Sequence, residues 1–398
     1  MRTGELLTRR SVRVGIAAAG LFVCLTAVFA QSAPRGAAST RTELRAPSIP
    51  YRIAHGLNDF MSFYVAGKLC GSSDLYRPMR GLGEELKATG YFDIHTPVVR
   101  LPYFALAMAP LSRLPYRTAY TVFQALSILS IIAFVMMQPA GRERTRAVVL
   151  CVTSFPLLLS LGLGQDVPFV VLFVAVFLRY WDEKPEIAGA ALALCSLKYH
   201  LFPFMALVVI LRGNRRLVVS LTVSLTILLA ISFAIEGPNW PREYIAQLMT
   251  PWDVPDHMPN IRPMVLSSAH PLVYGAMLSV VVGIVATIAL VRCRENLMLC
   301  TAIALAAGIL ATYHVFLQDC AILLPPLVGV WNSRSHAVLI WLAWAVLMPL
   351  AYVLRAVEAG PTFLIQALLF AFLVAAAVAG KRTLEDEMAG RVPAPVAA

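Results

Sequence analysis

Asp59 is the residue in this chain best placed to do chemistry. It sits in Gly56-Leu57-Asn58-Asp59-Phe60-Met61-Ser62-Phe63-Tyr64-Val65-Ala66-Gly67, just after the first hydrophobic stretch of a chain that is apolar nearly end to end. A carboxylate at the edge of a bilayer, set among aromatics such as Tyr64, can take up a proton in a half-dry site. Further polar groups recur at the ends of later apolar segments: Arg100, Gln165-Asp166, Lys198, His200, His314 and Asp319. Ionisable groups near hydrocarbon are costly, so they face a cavity or a partner. One base together with cations and imidazoles suits a reaction in which a hydroxyl loses its proton and an anionic group departs.

The elements that must position these residues are membrane helices. The chain has 398 residues, 59% of them hydrophobic and only 14% charged. A soluble domain carries roughly 25% charged residues. Apolar segments follow one another at about 14–30, 97–112, 117–137, 147–162, 166–180, 187–197, 201–211, 217–235, 271–291, 297–312, 315–331, 336–354 and 361–380. The expected fold is therefore all-α, a polytopic transmembrane helical bundle with short interfacial helices in its first outer loop. The net charge of +11 comes from short Arg/Lys clusters between apolar segments, the pattern of positive-inside loops, so no nucleic-acid partner is expected. The seven cysteines show no CxxC spacing and no disulfide framework.

Threading follows from the charges. Arg9, Arg10 and Arg13 precede the first apolar run and point to a retained signal-anchor helix, although Ala27-Val28-Phe29-Ala30 also fits a cleavage site. The clusters Arg142/Arg144/Arg146, Arg179/Lys184, Arg212/Arg215/Arg216, Arg292/Arg294, Arg334 and Lys381/Arg382 all stay inside if the Pro-bounded segment 97–112 is re-entrant. That gives twelve crossings; thirteen result if it spans. Six histidines, His55, His95, His200, His257, His270 and His314, then face outward, and only His336 lies inside.

Within the outer loop, Phe60, Phe63, Tyr64 and Gly67 at helical spacing predict a short amphipathic helix on the membrane over Asp59–Cys70, with a second over Gly83–Thr89. Segments 187–197 and 201–211 are too short to span, and their joint Ser196-Leu197-Lys198-Tyr199-His200 forms a seat for a lipid phosphate. The loop 236–269 is rich in Pro, Trp and His and is expected to act as a cover. The whole reads as one integral-membrane domain: a first helix over 1–30, an outer loop over 31–96, a catalytic core over 97–335, C-terminal helices over 336–380 and a cytoplasmic tail over 381–398.

Each residue also has a structural reading. Asp59 could cap the interfacial helix, and Asp166 after Gly162-Leu163-Gly164-Gln165 could cap the next. Lys198 could snorkel from a helix end. His314 could bond a carbonyl at a helix start, and the surface tyrosines could form an interface belt. A transporter would place such groups near the midplane within internal repeats, and no repeat is evident here.

Four stretches resemble glycosyltransferase family 87, the membrane mannosyltransferases that use polyprenyl-phosphate sugars. They are Asn58–Gly67 with Asp74-Leu75-Tyr76; Leu101-Pro102-Tyr103-Phe104-Ala105-Leu106 through Ala109-Pro110-Leu111 to Leu114-Pro115; Gly164-Gln165 with Ala188-Gly189 and Leu197-Lys198; and Tyr313-His314 with Asp319 and Leu323-Leu324. Arg100-Leu101-Pro102 stands where the family usually has a Tyr-Pro-Pro-like triplet, and Asp166 stands where a small or amide residue is commoner. The resemblance implies a multispanning transferase in the bacterial inner membrane, with its site on the outer side.

Asp59 would be the catalytic base. Lys198, His314 and Arg100 would hold the donor phosphate, with Asp319, Gln165, Asp166, Tyr64 and His200 in support. The partners would be a polyprenyl-phosphate sugar donor, a lipid- or glycan-linked acceptor and membrane lipids. A single carboxylate fits direct inverting displacement, whereas double displacement wants two carboxylates about 5–5.5 Å apart. No Asp-x-Asp cluster is present, so neither metal nor cofactor is expected. The rival expectations are a lipid or solute transporter and a catalytically inactive protein of the same fold.

Overall fold

Proline sets the punctuation of this fold. The computed structural model describes residues 49–91, 97–249, 258–331 and 361–390, and within these every regular element is helical. The expected first helix over 1–30, His95, His257, His336 and segment 336–354 lie outside the described residues. The first elements are α1 (Ile49–His55), α2 (Phe60–Leu69), α3 (Pro78–Thr89), α4 (Pro102–Ser112) and α5 (Tyr116–Met136). Then come α6 (Arg142–Thr153), α7 (Phe155–Gly162), α8 (Val167–Tyr180) and α9 (Pro185–Leu194). Pro78, Pro102 and Pro185 each open their helix. At that position the missing N–H costs nothing and the fixed φ favours the first turn. The second short outer helix thus begins at Pro78 rather than Gly83.

The chain continues through α10 (Met205–Arg212), α11 (Arg215–Glu236), α12 (Trp240–Leu248), α13 (Arg262–Val265) and α14 (Pro271–Arg292). It ends in α15 (Leu297–Ala311), α16 (Leu324–Trp331) and α17 (Pro361–Gly390). Among the described residues three helices, α5, α11 and α14, are long and apolar enough to cross a membrane. The pair α6 and α7, bent by 58° at Ser154, makes a fourth if it acts as one span. Among the described residues, several of the apolar segments expected to cross are formed by helices of only 8 to 15 residues. Only 6% of the most apolar window of α11 is buried within the protein, and Leu225, Ile227 and Leu229 point outward. Water would penalise that surface, whereas lipid accepts it.

Two short halves carry the central turn. Helix α9 has 10 residues and α10 has 8, joined by a 3-10 segment, Cys195–Leu201. At about 1.5 Å per residue, neither half approaches the roughly 30 Å of a bilayer core. The expected pair of half-helices is present, with the second starting at Met205. Helix α9 is pressed onto α11 at Gly189, where a Cβ would lie 2.6 Å from the Leu217 carbonyl oxygen. Only a glycine allows backbones to approach so closely. At the far end of these halves the basic loops meet: Arg212 donates to the Arg294 carbonyl, and Arg216 lies 3.9 Å from Glu186.

Helix α2 corrects one expectation. It is not an amphipathic helix with one free face; all of its residues but Lys68 are buried. Met61, Ser62, Val65 and Ala66 fill the face that the amphipathic reading left to solvent, so the helix is apolar all round and is buried for that reason. Gly67 sets its depth: a Cβ there would meet the Met108 carbonyl at 2.7 Å, so α2 packs directly on α4. Phe60, Phe63, Phe104, Tyr116 and Phe123 make the aromatic core around it.

Candidate active site

The site begins where α2 begins. Asp59 occupies the N-cap position but makes no capping hydrogen bond with its side chain. Its neighbour does that work: the Asn58 side-chain oxygen accepts from the Phe60 N–H at 3.2 Å. The Asn58 amide also donates to the Gly162 carbonyl at 3.0 Å, and the Asp59 N–H donates to the Leu163 carbonyl at 3.1 Å. The turn from Gly162 to Gln165 is therefore laid along the start of α2. Gly164 makes this possible, with φ at +61° and the space of a Cβ already taken by the Asn58 side-chain oxygen at 2.7 Å. The result is that the Gln165 side-chain amide donates to the Asp59 carboxylate. Asp59 itself is partly exposed.

Behind Gln165 lies a buried ionic cluster. Lys198 donates to the Gln165 side-chain oxygen at 3.3 Å. Its ammonium is 2.8 Å from the Asp319 carboxylate and 3.3 Å from that of Asp166. Asp166 in turn receives two bonds from the Arg100 guanidinium, at 2.6 and 3.1 Å. All four charged residues are buried, Asp166 completely. Two cations offset two carboxylates, which is the condition for holding charges away from water. Lys198 is not a snorkelling residue, since its charged end points inward. Asp166 is at an N-cap position without a capping bond.

His200 and His314 flank this cluster, with ring centroids 6.1 Å apart in a T-shaped arrangement. His200 feels the charges of Lys198, Asp319 and Arg100. The segment 312–316 is not helical, so His314 does not start a helix as expected; the helical path begins at Leu317. Asp319 fixes that start by accepting from the Phe316 N–H at 2.9 Å while it holds Lys198.

Two further placements bear on the sequence reading. Arg100 was expected at the donor phosphate, but Asp166 takes its Nε and Nη2 donors, and its guanidinium lies 5.4 Å from the Phe63 ring centroid. Tyr64 is not brought to the cluster. Its hydroxyl donates to the Leu114 carbonyl at 2.8 Å and its ring packs edge-on against Tyr116. Position-by-position reading also passed over the residues that clamp the site. Tyr76 donates to the Arg100 carbonyl at 2.8 Å, and Tyr244 reaches the Val99 carbonyl at 3.3 Å. Burial pushes both phenols up, so both remain neutral donors. The Tyr103 and Ser196 hydroxyls lie 2.9 Å apart and fasten the Lys198 turn to α4. Tyr76 and Tyr244 stand in the polar stretches between apolar segments, where a single tyrosine carries no signal of its partner.

The comparisons bear on this geometry. No curated protein and no solved structure matches the chain. The sequence model of glycosyltransferase family 87 matches residues 102–317, just over half of the chain. The matched stretch includes Gln165, Asp166, Lys198, His200 and His314, while Asp59, Arg100 and Asp319 lie outside it. With an all-helical fold, membrane-length helices and this match together, the protein is a membrane glycosyltransferase, and the chain belongs to glycosyltransferase family 87.

Proposed function

We propose that this glycosyltransferase moves a hexose, mannose in the first instance, from a polyprenyl-phosphate donor to an acceptor hydroxyl at the outer side of a bacterial inner membrane. The observation that carries the reading is the line Asp59–Gln165–Lys198, a partly exposed carboxylate tied through one amide to a buried cation. In the proposed step the acceptor oxygen attacks the anomeric carbon. The bond from that carbon to the phosphate oxygen breaks, and polyprenyl phosphate leaves with the electron pair. The hydroxyl proton passes to Asp59, which needs an approach of about 2.6–3.2 Å.

Direct displacement suits this arrangement. Asp166 and Asp319 are the other carboxylates of the site, and both are buried in ion pairs with Lys198 and Arg100. A carboxylate held that way makes a poor nucleophile, so the inverting course with Asp59 as sole base is favoured. In this reading His200 and His314 supply N–H donors to the leaving phosphate, while Lys198, whose three donors are held by Gln165, Asp166 and Asp319, lends its positive charge from behind. Arg100 acts one layer further in, by holding Asp166.

The test is incubation of the purified protein with polyprenyl-phosphate mannose, with the glucose analogue in parallel, in the presence of a bacterial membrane lipid extract. A mannosylated lipid product of inverted anomeric configuration is expected. A product of retained configuration, or no product with either donor, contradicts the proposal.

A further inference from the structure

Helix α15 stops just before His314, and its end is capped from elsewhere in the chain. Its last residue is Ala311, and Thr312 turns to extended backbone, with φ −71° and ψ 152°. A helix end leaves carbonyls that need partners outside the helix. The Ile261 N–H donates to the Leu310 carbonyl at 3.1 Å, and the Asn260 side-chain amide donates to the Thr312 carbonyl at 2.8 Å. Beside them the Arg262 guanidinium lies 3.9 Å from the Tyr313 ring centroid. The successive residues Asn260, Ile261 and Arg262 thus grip the chain from Leu310 to Tyr313.

The grip is itself held from a third element. On α17 the Gln366 amide donates to the Asn260 carbonyl at 2.5 Å and to the Met258 carbonyl at 3.3 Å. Asn260 closes its own turn by accepting from the Arg262 N–H at 3.2 Å. Met258, Asn260 and Gln366 are all fully buried, so these bonds face no competition from solvent.

The non-helical stretch 312–316 is therefore tied at both ends. Asn260 holds it at Thr312. At the other end Asp319 accepts from the Phe316 N–H and also pairs with Lys198. His314 stands midway, its ring edge-on to Phe316 with centroids 4.8 Å apart and 6.1 Å from that of His200. Irregular backbone keeps its conformational freedom unless it is tied, so the two ties decide where this imidazole points.

We propose that Asn260, held in turn by Gln366, is a positioning residue for His314 and, through it, for the phosphate of the polyprenyl carrier. This rests on the reading of His314 as a donor to that phosphate. It brings α17 into the working of the site.

A double-mutant cycle read in binding tests it. The full-length protein in one detergent is titrated with radiolabelled undecaprenyl phosphate, which the wild type is expected to bind. His314→Ala and Asn260→Ala are each expected to raise Kd about tenfold, the size of one good hydrogen bond. The double variant is expected to bind no more weakly than His314→Ala, because losses through one shared contact do not add. Gln366→Met is expected to repeat the pattern of Asn260→Ala, and it carries the cycle if Asn260→Ala does not fold. Ile303→Ala, fully buried in α15, is the control: it should lower thermal stability and leave Kd unchanged. No binding by the wild type, a Kd unaltered by His314→Ala or by Asn260→Ala, or a double variant whose loss is the product of the single losses overturns the proposal. So does an Ile303→Ala defect in Kd as large as that of Asn260→Ala. If the cycle closes as expected while no transfer is found with any donor, the transferase mechanism fails and the positioning role stands.

Discussion

The Gln165 side-chain amide joins Asp59 to Lys198, donating to the carboxylate and accepting from the ammonium. Its orientation is fixed from both ends: turned over, the amide would face the carboxylate with oxygen and the ammonium with nitrogen. Gln165 therefore aims the Asp59 carboxylate from the direction of the ionic cluster. Gln165→Leu is expected to reduce kcat about tenfold, the equivalent of roughly 1.4 kcal/mol, with little change in donor KM. Steady-state kinetics check this; an unchanged kcat would show that Asp59 is oriented without it.

Gly164 permits that contact. Gly164→Ala forces a positive φ on a residue with a Cβ and drives it into Asn58 and Phe60. Gly141 also has positive φ, +96°, but a Cβ there meets nothing within 4 Å. Gly164→Ala should thus lose most activity, and Gly141→Ala should pay only backbone strain of about 1–3 kcal/mol. Activity and thermal unfolding of the two variants separate the effects. Equal activity would mean that the turn's fit against α2 is not needed.

The Arg100–Asp166 pair is a stability device in this account. Asp166→Asn leaves a guanidinium buried beside a neutral amide and should destabilise the protein by about 3–5 kcal/mol. The double variant Arg100→Met/Asp166→Leu should recover much of the loss, because an apolar pair of similar volume has no charge to bury. Unfolding of the purified variants in one detergent measures both. A double variant no more stable than Asp166→Asn would contradict the compensation argument.

What the sequence made legible was chemistry confined to single positions. Asp59 and Lys198 are conspicuous because charge is rare in apolar segments, and the short halves around Lys198 follow from segment length. Pairing was not legible. Arg100 and Asp166 are 66 positions apart, and nothing local says that one claims the other. Tyr64 looks like part of the Asp59 motif, yet its hydroxyl is used 50 positions away at Leu114. Helix α2 was read as one-sided because aromatic spacing marks one face without revealing that small residues let the other face pack as closely. Helix breaks were hidden in the same way, since hydropathy registers apolar length and misses the breaks that Pro and close packing impose.

Threading can be tested with single cysteines in a cysteine-less background, probed on intact cells with an impermeant thiol reagent. Met79, 79% exposed on α3, is expected to label. Arg144 and Arg215, in basic clusters, are expected to stay protected. Labelling at position 144 would place that loop outside and require segment 97–112 to cross.

Asp59→Asn is the most direct test of the central claim. The asparagine keeps an oxygen that can accept from Gln165, so the tie to Lys198 persists, but it cannot take a proton. Turnover of polyprenyl-phosphate mannose by the purified variant, measured beside the wild type at equal folded protein, should fall at least about 10²-fold, the scale of general-base catalysis. Full turnover by Asp59→Asn would show that Asp59 is not the base and contradict the mechanism proposed here.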